Sequence, residues 1–174
     1  PRAARLRSWR PPAKHQIKQQ TSSGCEKGFE MISNHPSAPE RNHVAWMFRS
    51  TVARYGDRPA TRIRVGRSWQ TTSYRELDER VTQIACALLH AGVDRGDRVV
   101  IYARNRPEWA QLDLALMYIG AVSVPLYATN TVQQVVHEAG DAGAVLAFGG
   151  DPEECARLFE ANAHIHSLRL VLRF

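Results

Sequence analysis

Residues 97–127 read DRVVIYARNRPEWAQLDLALMYIGAVSVPLY, and this stretch decides the fold. Val99, Val100, Ile101 and Tyr102 form a short unbroken apolar run, the pattern of a strand buried on both faces. Asn105 offers an N-cap oxygen, and Pro107 stands where a helix tolerates a missing N–H. Trp109, Leu112, Leu116 and Ile119 then recur at helical spacing, and Gly120 can take the left-handed conformation that ends a helix. Ala121 to Leu126 returns as a second apolar strand. Strand, short helix, strand is a βαβ crossover, so the two strands are expected to be parallel. Leu112, Leu114, Ala115, Leu116 and Met117 leave the helix apolar nearly all round, which predicts burial between other elements.

The same alternation continues toward the C-terminus. Residues 128–131 (ATNT) supply candidate N-caps for a helix from about Val132 to Ala139. Ala144 to Phe148 is a further apolar strand. Gly149-Gly150-Asp151 leads into a helix from Pro152 to about Ala161, and Leu168, Leu170, Val171 and Leu172 mark a fourth core strand. From Val99 onward the order is βαβαβαβ with short connections, which means an α/β fold with a parallel sheet flanked by helices.

Toward the N-terminus, Ser73-Tyr74-Arg75-Glu76 is a capping box at the head of a long helix. Leu77, Val81, Ile84, Ala85, Leu88 and Leu89 form its buried stripe, and Gly92 ends it. Before it, Ile63 and Val65 alternate with Arg62 and Arg64, the period of a half-buried strand. Gly66-Arg67 fits a two-residue turn, and Ser68 to Thr72 makes the return strand, with Trp69 placed to pack. This small antiparallel hairpin is an accessory to the sheet. From His43 to Tyr55, the residues Val44, Met47, Phe48 and Val52 trace a short amphipathic helix closed by Gly56.

Charge separates the chain into two regions. Residues 1–30 hold seven Lys/Arg against Glu26 and Glu30, a net +5, while the remaining 144 residues hold 16 basic and 15 acidic side chains. The net +6 of the whole therefore belongs to a tail, and it does not mark the body as a nucleic-acid binder. Residues 1–42, rich in Pro, Ser, Gln and basic side chains, read as a disordered basic tail or as upstream readthrough before Met31. Residues 43–174 read as an incomplete domain, because Phe174 falls inside an expected strand. No apolar run is long enough to span a bilayer. Cys25, Cys86 and Cys155 are odd in number, form no CxxC, and read as unpaired thiols in a cytoplasmic protein.

Reactive machinery is scarce. GxxxxGK[ST] and GxGxxG are both absent, which argues against a Rossmann-type nucleotide binder. Gly149-Gly150-Asp151 lies between a strand and a helix, where a phosphate cradle would be, yet a tight turn with an Asp N-cap explains it. Arg104 and Arg106 follow the carboxyl end of a central strand, where ligands of open sheets bind. Capping by Asn105 and Glu108 accounts for that spacing without a ligand. His164 and His166 lack a third metal ligand nearby, His137-Glu138 lacks the second His of a metalloprotease helix, and His90 suits a helix C-terminus. No residue is assigned a catalytic, cofactor-binding or metal-binding role.

Four motifs carry a family resemblance. Thr72-Ser73-Tyr74-Arg75-Glu76-Leu77 resembles the T-Y-x-E-L motif of the adenylate-forming (AMP-binding) enzymes, with Ser73 inserted. Gly96-Asp97-Arg98-Val99 is similar to their G-D-x-V strand entry, Asn105-Arg106-Pro107-Glu108-Trp109 to their N-x-P-E-W helix start, and GAVSVPLY (120–127) to their G-A-x-x-V-P-L-Y strand. N-R-P-E-W with V-P-L-Y most resembles the long-chain fatty acid–CoA ligases, over the opening part of their N-terminal domain.

The resemblance implies a two-step ligase reaction. A fatty acid carboxylate attacks ATP at the α-phosphorus, giving an acyl-adenylate and pyrophosphate, with Mg²⁺ spreading the charge. The thiol of coenzyme A then displaces AMP. The family's Thr/Ser/Gly-rich phosphate loop, its adenine, ribose and Mg²⁺ motifs and its C-terminal Lys have no counterpart in this chain. ATP, Mg²⁺ and coenzyme A are thus expected only of a full-length enzyme, together with the rest of its chain and a peripheral membrane contact. A non-catalytic interaction or acyl-binding module built on the same scaffold is the alternative.

Overall fold

The computed structural model describes residues 43–174, so the readings made on residues 1–42 lie outside the described residues. It contains two compact units. The first holds residues 43–96 and 105–122, and the second residues 97–104 and 123–174.

The first unit is helical with one hairpin. Helix α1 (Val44–Tyr55) is capped by His43, whose Nδ1 accepts from the Trp46 N–H at 3.2 Å. Its inward side is not the expected stripe: Ala45 is buried and Phe48 and Val52 are half-buried, while Val44 and Met47 stand in solvent. Phe48 meets the rings of Tyr74 and Tyr118, so aromatic contact, not summed hydrophobicity, chose the face.

Strands β1 (Pro59–Val65) and β2 (Ser68–Ser73) pair antiparallel across a Gly66-Arg67 turn, with Val65 opposite Ser68. Gly66 takes φ +60°, as a tight hairpin turn requires. The expected half-burial is absent, since every residue from Arg62 to Thr71 is exposed, Ile63 and Val65 included. Period-two alternation shows that two faces differ, not that either is covered.

Helix α2 (Tyr74–His90) begins at the Ser73/Glu76 capping box, the Ser73 N–H donating to Glu76 Oε at 2.8 Å. That bond and the Ser73 hydroxyl hold the Glu76 carboxyl below its usual range. Leu77, Val81, Ala85 and Leu88 are buried as expected, and Ile84 and Leu89 half so. Cys86 is disulfide-bonded, not the unpaired thiol read from the sequence. Spacing along one helix carries no information on a thiol's partner.

Helix α3 (Pro107–Ile119) packs against α2. It starts one residue later than the Asn105 cap predicts. Pro107 pushes the residue before it out of the helical region, so Arg106, at φ −155° and ψ 157°, becomes the N-cap without a side-chain bond. Gly120 closes the helix at φ +71°. Burial and the hydrogen bond to Asp78 raise the Tyr118 phenol, which stays protonated and donates to that carboxylate.

The second unit is the sheet. Strands β3 (Arg98–Tyr102), β4 (Val122–Leu126), β5 (Leu146–Gly149) and β6 (Leu170–Arg173) lie in the order β4-β3-β5-β6. Val99 pairs with Leu146 and Tyr102 with Gly149, in parallel, and Leu146 pairs with Leu170, also in parallel. Val99, Val100, Ile101 and Tyr102 are all fully buried, as their unbroken apolar run requires.

Helix α4 (Val132–Asp141) begins at a second capping box, Thr131 with Gln134. Helix α5 (Pro152–Asn162) begins at a third, Asp151 with Glu154. One core joins these elements: Val100, Tyr102 and Ala147 from the sheet, Val135 and Ala139 from α4, Leu158 and Ala161 from α5. Arg98 fastens one end of this layer, donating from Nε to the Ala142 carbonyl at 2.7 Å and from Nη2 to the Gly143 carbonyl at 2.9 Å. No helix among the described residues is long and apolar enough to cross a membrane.

Candidate functional site

Strand order locates the place to look. After β3 the chain moves to one side to form β4, and β5 and β6 are added on the other. The reversal therefore falls between β3 and β5. In open parallel sheets ligands bind beyond the carboxyl ends of the strands at such a point. A cleft of about 440 Å³ opens there, lined by Arg104, Ala128, Asp151, Glu154 and Arg157 among others. The structure thus joins two signals that the sequence offered separately, Arg104 and the Gly149-Gly150-Asp151 turn. Arg106 takes no part in this cleft and bonds Glu108 Oε at 3.0 Å. Burial raises the Glu108 carboxyl, but the Arg106 bond, its own backbone N–H and the charges of Arg106 and Arg80 together outweigh it, and the net shift is downward.

The glycines are there for space. Neither Gly149 nor Gly150 has positive φ. A Cβ on Gly149 would stand 2.6 Å from Cys155 Sγ and 3.1 Å from Cys155 Cα. One on Gly150 would overlap the Glu154 carboxylate and stand 2.8 Å from the Ala103 Cβ. Close seating of α5 on the end of β5 is what these glycines permit. Gly149→Ala is expected to destabilise the sheet unit by about 1–3 kcal/mol through overpacking. Cys155→Ala in the same chain should recover only part of the loss, because the backbone contact remains. A denaturant titration of both variants checks this.

Most of the cleft's buried polar groups are bonded to one another. Arg157 Nη1 donates to the Tyr102 hydroxyl at 2.8 Å and to the Ala128 carbonyl at 3.0 Å. Tyr102, fully buried, donates in turn to the Asn130 carbonyl at 2.7 Å. Asn130 Nδ2 donates to Glu138 Oε1 at 3.0 Å. Glu154 is only 2% exposed and accepts from the Asp151 N–H at 2.6 Å, with Arg104 Nε 4.0 Å from its other oxygen. The bond to Tyr102 also raises the Arg157 guanidinium further above neutrality. Sequence reasoning missed Tyr102, Glu154 and Arg157 as a group because their partners lie 28 to 55 residues away or face an interior.

Chemically this is a strap, not a phosphate cradle. Asp151, Glu153 and Glu154 outnumber Arg104 and Arg157 in the lining. Glu153 and Glu154 sit in the first turn of α5 and already complement its positive end. A polyanion such as ATP meets three carboxylates there, with Arg157 tied to Tyr102 and Ala128 and the exposed Arg104 4.0 Å from Glu154, so these residues do not fit its phosphates. No group of three or more His, Cys, Asp or Glu among the described residues is placed to hold a metal ion. His90 Nδ1 lies 2.8 Å from the Cys86 carbonyl oxygen, a helix-end contact.

Known proteins resemble the chain over the same elements. The family model for AMP-binding enzymes matches residues 48–173. The long-chain-fatty-acid–CoA ligase FadD15 of Mycobacterium bovis is 35% identical over 105 residues, 60% of this chain and 18% of that protein. The peroxisomal long chain acyl-CoA synthetase 7 of Arabidopsis thaliana is 33% identical over 153 residues, 82% of this chain and 21% of its own. A Mycobacterium tuberculosis fatty acyl CoA synthetase structure matches with a TM-score of 0.66 at 20% identity, over 75% of this chain and 26% of that one, a likeness of fold. The chain spans about a fifth of the length of the curated relatives it matches. Sheet order, capping pattern and the match over residues 48–173 lead to one conclusion: this chain belongs to the AMP-binding enzyme family.

Proposed function

We propose that the chain is the N-terminal scaffold of an ATP-dependent acyl-CoA synthetase that activates a long-chain fatty acid. The acid's carboxylate attacks the α-phosphorus of ATP, pyrophosphate leaves, and the thiol of coenzyme A then displaces AMP to give the thioester. The role of residues 43–174 in that reaction is mechanical: they present a braced sheet on which the remainder of such an enzyme builds its pocket. One observation carries the reading. The family match runs across nearly every described element, while the switch-point cleft holds more carboxylates than arginines and ties Arg157 into internal bonds.

Chain length of the acid rests on the relatives named as long-chain ligases. The test is thioester formation by the protein extended along its own reading frame, given ATP, Mg²⁺, coenzyme A and acids of graded length. Long-chain acids should yield acyl-CoA and AMP. Turnover confined to acetate or to an amino acid would overturn the substrate assignment.

A further inference from the structure

The β1–β2 hairpin is unlike the rest of the described surface. Its fifteen residues, Pro59–Ser73, contain Arg62, Arg64 and Arg67 and no Asp or Glu. Two-stranded hairpins are marginal in water unless something covers a face, yet here Trp69 is 60% and Val65 49% exposed. The pairing of Arg62 with Thr71 and of Arg64 with Trp69 puts both arginines and the indole on one face. Ile63 and Gln70 lie on the other, which lines a cleft with Arg80, Pro107 and Gln111. Val65, opposite Ser68, shares the Ile63 face, and Arg67 follows Gly66 at the tip.

We infer that this outer hairpin face docks on an anionic lipid surface. Guanidinium heads with apolar stems beside an exposed indole are the side chains that settle at a bilayer's headgroup level. The arginines answer lipid phosphates and carboxylates, while the Trp69 indole enters the acyl boundary. A polynucleotide fits less well: the Arg62 guanidinium lies 5.5 Å over the Trp69 ring, so that ring face is not open to stack on a base. A second copy of the chain would bring the same three positive charges against themselves. This inference does not rest on the ligase reading.

The test mixes the full chain with phosphatidylcholine vesicles, with and without phosphatidylserine. Residues 1–30 are also basic, so bulk co-sedimentation is not enough. The deciding signal is the Trp69 emission, taken as wild type minus W69F, and its quenching by bromine-labelled acyl chains. With phosphatidylserine, that emission should shift to the blue and be quenched. Each arginine near such a surface is worth roughly fivefold in partitioning, so R62Q/R64Q/R67Q should weaken it on the order of a hundredfold. R62K/R64K/R67K should keep most of it, and added salt should weaken the wild type. Circular dichroism checks that the exposed substitutions leave the fold unchanged. Equal binding to neutral vesicles overturns the inference. So does partitioning that survives in R62Q/R64Q/R67Q, an unquenched Trp69, a vesicle-independent dimer, or tighter binding to an oligonucleotide.

Discussion

Leu158→Ala is expected to lower the unfolding free energy of the sheet unit by about 2–5 kcal/mol, a large share of a domain's usual 5–15 kcal/mol or so. Leu158 is fully buried, in one cluster with Val100, Ala147, Val135 and Ala161. Its neighbours are small or held in the sheet ladder, so they cannot fall inward to fill the space, and the cavity cost adds to the lost transfer energy. Leu158→Met conserves volume and should cost less than about 1.5 kcal/mol. Denaturant titration, with hydrogen exchange at β3 and β5 amides, reads both. A Leu158→Ala loss within about 0.5 kcal/mol, the range of a surface change, would contradict this packing.

Tyr102→Phe is the second large effect, and it probes the strap across the cleft. The substitution keeps the buried ring and removes only the hydroxyl. The Asn130 carbonyl then loses its 2.7 Å donor and Arg157 Nη1 one of its two acceptors. Leaving a buried acceptor unpaired costs about 1–3 kcal/mol. Arg157→Ala removes the same link from the other side and also frees the Ala128 carbonyl. The two substitutions share a bond, so the double variant should lose less than the sum of the singles, with a coupling of about 0.5–3 kcal/mol. Additivity within about 0.3 kcal/mol would mean that the strap is not acting as a unit.

The elements that the sequence reveals are those written in local chemistry. Val99 to Tyr102 announce a buried strand because nothing polar interrupts them. Ser73 with Glu76 and Thr131 with Gln134 mark helix starts because both partners of each cap lie within four residues. Gly120 marks an end because its left-handed backbone suits no other residue as well. Failures occur where distant chemistry decides. Asn105 is a good cap residue, but Pro107 dictates which residue occupies the cap. Ile63 and Val65 alternate like a half-buried strand, yet their face borders an open cleft and both stay exposed. The site shows the same divide. Arg104 and Gly149–Asp151 were visible as local signals, but only strand order brings them together. Tyr102 looks like one more apolar strand residue until its hydroxyl is seen between Arg157 and Asn130.

In the function proposed here, this chain braces an acyl-activating pocket and leaves the chemistry to groups outside it. Adenylation needs donors fixed where charge develops, and each such donor is typically worth about 3–4 kcal/mol of barrier. The cleft at the β3–β5 reversal holds its half-buried donor, Arg157, in internal bonds and sets three carboxylates against its two arginines. The direct measurement is fatty-acid-dependent exchange of labelled pyrophosphate into ATP, run on the purified 174-residue chain beside the same chain extended along its reading frame. Blank-level exchange is expected from the chain alone and clear exchange from the extended protein. Exchange by the 174-residue chain unaided, or none from the extended protein, would contradict it.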